Sequence, residues 1–465
     1  MLLITRRLFC SIAVITATTL SASAQAPTPL TGNWSGNIAA TDFIFHIMEP
    51  ASGPKTATLD IPAQGAQGIP LQFATTSDSV YLRLPQFKAQ FAGRRGTNPQ
   101  QLPGEWQQNG QRFPVTLTRA AEGAVAAPRR PQTPKAPFPY LSTDISFPNA
   151  QAGIKLAGTF TVPQGKGPFP AVVLLTGSGP EDRNSTVYGH QPFAVLADYL
   201  TRRGIAVLRF DDRGVGKSEG SLVTASAADY ATDAAAAMVW LRAQPSIDKK
   251  HVGLAGHSEG GTAAIMAATQ KAGPDFLVLL AAPGLPGDEM IVQQVLAINR
   301  LKTQDAATLA ALEKQQRQLL NIIRQNPDNE KAHALLRDLL NPTHSTDPQV
   351  VAAVNRNLVQ LTSPEYRHIL ADEPSKTLPL VHCPVLALGG SKDIQVVGTP
   401  HLAAIEQGLK AGGNHDVTVR ELPGLNHLFQ TATTGSVAEY ATIEETFSPT
   451  ALQIIGDWVT QHTRK

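Results

Sequence analysis

The spacing of apolar and polar residues changes character along the chain. From residue 27 to about 120 the apolar runs are short. "GNWSGNI", "KTATLDIPAQ", "IPLQFATT", "SVYLRLPQF", "AQFAGRR" and "FPVTLTR" are separated by Gly, Pro, Asn and Ser, and several alternate apolar with polar residues. A period of two marks half-buried antiparallel strands. The region is expected to form a small all-β domain, a sandwich or a barrel. Trp34 and Trp106 sit in similar Gly-flanked settings within it. They are read as core anchors in preference to aromatic platforms for a sugar or lipid.

Residues 121–138, "AEGAVAAPRRPQTPKAPF", carry no apolar period and read as a linker or a surface strap. From 139 to 465 buried runs alternate with helical ones. "KLAGTFTVP", "PAVVLLTG", "IAVLRF", "HVGLAG" and "DFLVLLAAP" read as strands, several of them buried on both faces. "PFAVLADYLTRRG", "ADYATDAAAAMVWLRAQ" and "GTAAIMAATQKAG" read as helices, the first ended by Gly204 and the last by Gly273. The pattern predicts a doubly wound α/β domain with a mostly parallel sheet. Helical sequence from about 287 to 375 interrupts it and reads as a cap. The alternation then resumes with "PVLALGG", "HLAAIEQGLKAGG", "VTVRELPG" and "TALQIIGDWVTQH".

Composition adds limits. The 39 basic and 37 acidic residues nearly balance, which gives no support for nucleic-acid binding or a polybasic membrane contact. Residues 1–24 read as an export signal: Arg6 and Arg7, then the apolar "SIAVITATTL", then Ala22-Ser23-Ala24 before Gln25. Cleavage after Ala26 is the alternative. The pair Arg6-Arg7 leaves the twin-arginine route and ordinary secretion both open. The expected location is periplasmic or secreted, with no spanning helix after the signal is removed. Of two cysteines, Cys10 lies in the removable segment and Cys383 is left alone, read as a packed core residue.

The pattern G-x-S-x-G occurs twice, around Ser218 and around Ser258. Ser218 follows Asp211-Asp212-Arg213-Gly214 and reads as a loop serine. Ser258 stands between the buried strand "HVGLAG" and the helix "GTAAIMAATQ". A sharp strand-to-helix turn needs small neighbours, and Gly256, Gly260 and Gly261 supply them. It also sets the hydroxyl at a helix N-terminus, which favours developing negative charge. Ser258 is the expected nucleophile.

A serine hydroxyl needs a base, ordinarily a His oriented by a carboxylate. On such a sheet the order is Ser, acid, His. Asp393 in "ALGGSKDIQ" and His427 in "LPGLNHLF" follow successive strands in that order. His382, His401, His415 and Asp416 lie at less suitable places. The oxyanion hole is expected from the backbone N–H of Glu259, just after the nucleophile, and of Ser178, in the loop "LLTGSGPEDRN".

With "LLTGSGPEDRN", "LRFDDRGVGKSEG", "GLAGHSEGG", "ALGGSKDIQV" and "LPGLNHLF" together, the chain from about 140 to 462 resembles an α/β-hydrolase of the secreted bacterial esterase type. It is similar to the serine aminopeptidase and acyl-hydrolase branch of that superfamily. "TSPEYRHILADEP" resembles the end of that family's cap, and the β-rich region resembles an accessory domain found before such enzymes. The resemblance implies that Asp211 to Gly214 form a structural loop, with Arg213 tying neighbouring loops by ion pairs. Many relatives carry a His before the oxyanion glycine, where this chain has Thr176.

The sequence is therefore read as an exported serine hydrolase cleaving carboxylic esters through Ser258, His427 and Asp393. It implies no cofactor, and no HExxH or paired Cys/His spacing suggests a metal. The partner is a small ester. A peptidase or aminopeptidase on the same triad is the first rival, and it would need an acidic group for a substrate amine, with Glu181, Glu365, Asp372 and Glu373 available. Glu365 and Asp372 are expected to pair with Arg367, His368 and Lys376 as a solvated face, which favours esters. An inert ligand-binding protein is the second rival. Two outcomes follow from the N-terminus and the cysteines. N-terminal sequencing of exported protein should begin near Gln25, and Met1 would contradict the signal. The thermal midpoint of the monomer should not respond to reductant.

Overall fold

The computed structural model describes residues 29–119 and 129–464, apart from the short stretches 39–40, 50–54, 62–65, 77, 88, 109–110 and 223–224. The signal segment and the first half of the 121–138 segment lie outside the described residues. The chain separates into two compact units.

The first unit is a closed barrel of eight antiparallel strands in sequential order. They are β1 (Gly32–Ile38), β2 (Thr41–Met48), β3 (Thr56–Ile61), β4 (Ala66–Thr75), β5 (Ser79–Leu84), β6 (Ala89–Arg94), β7 (Gln101–Gln108) and β8 (Gln111–Arg119). β1 closes on β8 with Trp34 opposite Arg119. Inward residues alternate along the strands, as in Val80, Leu82 and Leu84 of β5. Trp34 and Trp106 are both buried, and Trp106 packs beside Phe45 with ring centres 6.2 Å apart. Their rings fill the barrel core and offer no open platform.

The second unit holds an eight-stranded sheet in the order β16-β15-β14-β13-β11-β12-β10-β9. Its strands are β9 (Tyr140–Asn149), β10 (Ile154–Pro163), β11 (Phe169–Leu175), β12 (Ala206–Phe210), β13 (Ile247–His257), β14 (Leu277–Leu280), β15 (Val385–Gly390) and β16 (Val417–Leu422). β9 and β10 are antiparallel to their neighbours, and all pairs from β12 across to β16 are parallel. Helices α1 (Pro192–Arg202), α2 (Ala227–Arg242), α3 (Glu259–Ala268), α10 (Gly398–Ala411) and α11 (Pro449–Thr463) cover the two faces. α3 ends at Ala268, earlier than Gly273, because the chain turns through Thr269 and Gln270 before that glycine. This is the α/β-hydrolase architecture.

Between β14 and β15 come six helices, α4 (Gly287–Arg300), α5 (Ala306–Gln325), α6 (Asn329–Leu340), α7 (Pro348–Leu361), α8 (Pro364–Ala371) and α9 (Pro374–Thr377). Asp305, Asp328, Asp347 and Ser363 cap four of them with side-chain acceptors. The cap has its own apolar cluster, including Val292, Leu320, Ile323, Leu336 and Leu358. Residues 129–138 form a strap bonded onto this unit. Arg130 donates to the carbonyls of Tyr188 and Ile443, and Gln132 accepts from Thr446 and Phe447. Cys383 is partly buried against the sheet core, and burial pushes its thiol up to about 12.

One local expectation is corrected. Arg213 does not tie loop to loop: it pairs with Asp233 at 2.8 Å and Asp229 at 3.2 Å, both on α2. The loop-to-loop pair is Arg183 with Asp211, made through two parallel bonds of 2.9 and 2.7 Å. Ser218 donates to the carbonyl of Asp211 and accepts from the amide of Ala157, so it locks that loop to β10.

Candidate active site

Ser258 stands between the last residue of β13 and the first of α3, with φ 53° and ψ −122°. A non-glycine residue at positive φ costs about 1–3 kcal/mol and persists only where the surroundings fix it. Two glycines make the turn possible. A Cβ on Gly256 would collide with the carbonyl of Gly260, and a Cβ on Gly260 would collide with the carbonyls of Leu175 and Thr176. The Ser258 amide donates to Leu280 O at 2.9 Å, and its carbonyl accepts from Gly261 at 2.8 Å.

Asp393 follows β15 and is buried. One carboxylate oxygen accepts from the amides of Gln395 and Val396 at 2.8 and 2.9 Å; the other lies 2.8 Å from Nδ1 of His427. His427 follows β16 in a turn held by Asn426, which accepts from the amides of Leu428 and Gln430. The two loops are laced together, Ser391 to Leu422 and Gly424, and Lys392 to Leu425. Ser258 and His427 line one cavity of about 440 Å³, together with Gly177 and Ser178. The rival residues do not join them. His382, His415 and Asp416 are exposed, and His401 is buried in α10 with Nδ1 accepting from the Gly284 amide.

His257, the residue before the nucleophile, was not singled out by sequence. It is fully buried, and its Nε2 donates to the carbonyl of His427 at 2.9 Å, with the two rings 4.7 Å apart. Burial, with His427 beside it, pulls its pKa down to about 3. It is a neutral prop for the His427 backbone.

The loop after β11 packs against Ser258: a Cβ on Gly177 would lie 3.5 Å from Ser258 Cβ and 3.0 Å from Glu181 Oε1. Thr176 takes a part here. Its hydroxyl donates to buried Asp212, and Asp212 also accepts from the Glu181 amide. Ser178 and Glu259 both line a second cavity beside Ser258 of about 550 Å³. Glu259 supplies the first amide of α3, which has no preceding turn to bond within the helix.

The side chain of Glu259 also faces this larger cavity, as does Asp372. Burial, with Glu365, Asp372 and Glu181 nearby, pushes the Glu259 carboxyl up to about 7. Glu181 is likewise raised to about 7 by burial, against the hydrogen bond from Ser185. Burial also raises Asp372, against a hydrogen bond from Thr262. The expected pairing of Glu365 and Asp372 with neighbouring bases is not found. Arg367 donates to Ile323, Asn326 and Asn329, and Lys376 stands 3.8 Å from Glu373. The arginine is drawn to carbonyls left free at the end of α5. Sequence points to Glu259 for its backbone amide alone; its carboxyl lies beside Ser258 because the next position opens α3.

Fold and site together define an α/β-hydrolase. Residues 152–410 match the family model of the X-Pro dipeptidyl-peptidases (S15 family), over half of the chain, and the chain belongs to that family. Esterase EstD of Thermotoga maritima is 33% identical over 147 residues, 31% of this chain and 35% of that protein. Two uncharacterized proteins from strains of Mycobacterium tuberculosis are 32% identical over 133 residues, 29% of this chain and 43% of each. The chain thus spans less than half the length of these curated relatives. Among solved structures, an esterase of Pyrococcus furiosus is 15% identical, covering 73% of this chain and 100% of that one, with a TM-score of 0.44. A proline iminopeptidase of Mycobacterium smegmatis is 20% identical, covering 69% and 98%, with a TM-score of 0.41.

The raised Glu259 carboxyl has a measurable consequence. Such a group ionises near 4.5 in the unfolded chain and near 7 in the fold. Its contribution to stability is full below the lower value and is lost as pH rises toward the upper one. Glu259→Gln has no such loss. The midpoint of Glu259→Gln minus that of wild type should therefore rise between about pH 4 and about pH 8. Calorimetry showing a flat or falling difference would contradict a raised carboxyl at Glu259.

Proposed function

We propose that this protein is an exported serine hydrolase acting on carboxylic esters, with Ser258 as nucleophile, His427 as base and Asp393 as orienting acid. The observation that carries the reading is the Asp393–His427 hydrogen bond of 2.8 Å beside a cavity shared with Ser258. Ser258 Oγ attacks the ester carbonyl while its proton passes to His427 Nε2. The negative oxygen of the tetrahedral intermediate is received by the amides of Glu259 and Ser178. His427 gives the proton to the departing alcohol, leaving an acyl-enzyme. Water, deprotonated by the same His427, then releases the acid and restores Ser258. Asp393 holds the imidazole tautomer and offsets its charge throughout. These steps call on no metal or cofactor. The esterase name of the Thermotoga relative agrees with this substrate class.

A second reading, cleavage of aminoacyl amides, is favoured by one observation. Glu259 and Asp372 face the larger cavity, and among the described residues neither forms an ion pair. A substrate ammonium would suit them, and the family is named for peptidases. Esters remain the first choice because the amine leaving group demands fuller protonation by His427.

Ser258→Ala should lower turnover by roughly 10⁴- to 10⁶-fold with the fold intact, and should abolish labelling by a fluorophosphonate probe. Ser218→Ala should leave turnover near wild type. The reverse pair of results would reassign the nucleophile, and an unlabelled wild type would point to an inert binding protein.

A matched pair of substrates separates the two readings. kcat/KM for a short-chain ester should exceed that for the corresponding aminoacyl amide. Amide cleavage equal or faster, lost in Glu259→Gln or Asp372→Asn, would establish the peptidase reading instead.

A further inference from the structure

Two cavities meet at Ser258, and they have different walls. The larger, of about 550 Å³, runs under the cap and is faced by Met266 of α3, Met290 and Ile291 of α4 and Ile369 of α8. The smaller, of about 440 Å³, is faced by Tyr188, Leu428, Val437 and Tyr440. Ser178, Ser258 and Gln395 border both. His427 borders only the smaller one, and Glu259 only the larger.

This asymmetry has a chemical meaning, resting on the serine-hydrolase reading above. The proton that His427 takes from Ser258 must be handed to the leaving atom, so that atom has to lie on the His427 side. The hydrolytic water must later enter from the same side. The acyl group stays bonded to Ser258 through both steps and needs the other space. The geometry points to an acyl site beneath α4 and α8 and a leaving-group site against Tyr188, Val437 and Tyr440. The acyl site takes an apolar chain, because Met266, Met290, Ile291 and Ile369 give it apolar contacts among the polar Gln294, His368 and Asp372 that also line it. The leaving-group site takes an alcohol with a flat or apolar body, because the rings of Tyr188 and Tyr440 stand edge to face with centres 6.1 Å apart. The same division puts an ammonium of the second reading on the acyl side, beside Glu259 and Asp372, as an aminoacyl group requires.

The test varies one half of the ester at a time in the full-length enzyme. Acetyl and octanoyl esters of p-nitrophenol report the acyl site; phenyl and ethyl esters of one acid report the other. Met290→Trp should lower the octanoyl-to-acetyl ratio of kcat/KM by roughly tenfold and slow deacylation of the octanoyl-enzyme. Met290→Ala, which widens the same wall, should move the ratio toward the longer chain, so the test survives a misfolded Trp variant. Val437→Trp should change the phenyl-to-ethyl ratio at constant acyl group. Swapped responses, or no response of the acyl series to either Met290 variant, would overturn the assignment while ester hydrolysis by wild type stood. A wild type that cleaves no ester and takes no fluorophosphonate label would remove the serine-hydrolase reading and this assignment together.

Discussion

The turn at Ser258 is the constraint from which the rest of the site follows. A serine at φ 53° is tolerable only where its neighbours leave no alternative. β13 lies inside the sheet, between β11 and β14, and its last six residues are buried. α3 is held against the sheet by buried Ala263, Ala264, Ile265 and Ala267. With strand and helix both fixed, the residue between them has one conformation left. The cost, about 1–3 kcal/mol, is small beside the burial of those side chains at about 25 cal/mol per Å². The strain therefore sits where the core can sustain it, and it raises the hydroxyl above the carboxyl edge of the sheet.

The other loops are built to meet that point. Parallel strands β11, β13, β15 and β16 all end on one edge, so the loops that carry Ser178, Ser258, Asp393 and His427 converge without long excursions. Side chains then fix each loop to the next. Asp393 is held by two amides of its own turn, the loops of Asp393 and His427 share Ser391 and Lys392, and His257 grips the backbone of His427. On the far side, Thr176 and Glu181 both bind Asp212, and Arg183 binds Asp211. Thr176 is thus a hydrogen-bonding member of the loop anchor.

Most of this edge was legible because it is local. A buried strand followed at once by G-x-S-x-G, and two later strands each followed by one polar candidate, are patterns within a dozen residues. What was missed was either masked locally or made by distant residues. β2 alternates Phe43, Phe45 and Ile47 inward, but Ile44 and Met48 fill the other positions and hide the period. β7 contains Pro103 and Gly104, which read as punctuation. In the barrel Gly104 is needed, because a Cβ there would meet the backbone of β6 and the ring of Phe91. β9 is an antiparallel edge strand with most of its side chains outside the core, so it lacks the apolar run that betrays its neighbours. The environment of Glu259 depends on Asp372 and Glu365, which the cap brings back over α3, and no local pattern contains that return.

That return sets the electrostatics of the site. Glu181, Asp212, Glu259 and Asp372 surround a place proposed to stabilise an oxyanion, and full ionisation of all four would oppose the charge to be stabilised. Burial answers part of the problem: it raises all four carboxyls, Asp212 well above its ordinary value, which moves each toward its neutral form. Ser185, Thr176 and Thr262 each donate a hydrogen bond, to Glu181, Asp212 and Asp372 in turn. Asp393 stands in a different setting, with two amides and His427 Nδ1 directed at it. Both oxygens of Asp393 are thus supplied with donors. In Glu181, Asp212 and Asp372 the hydrogen bonds they accept oppose burial and burial prevails, which moves these carboxyls toward their protonated forms.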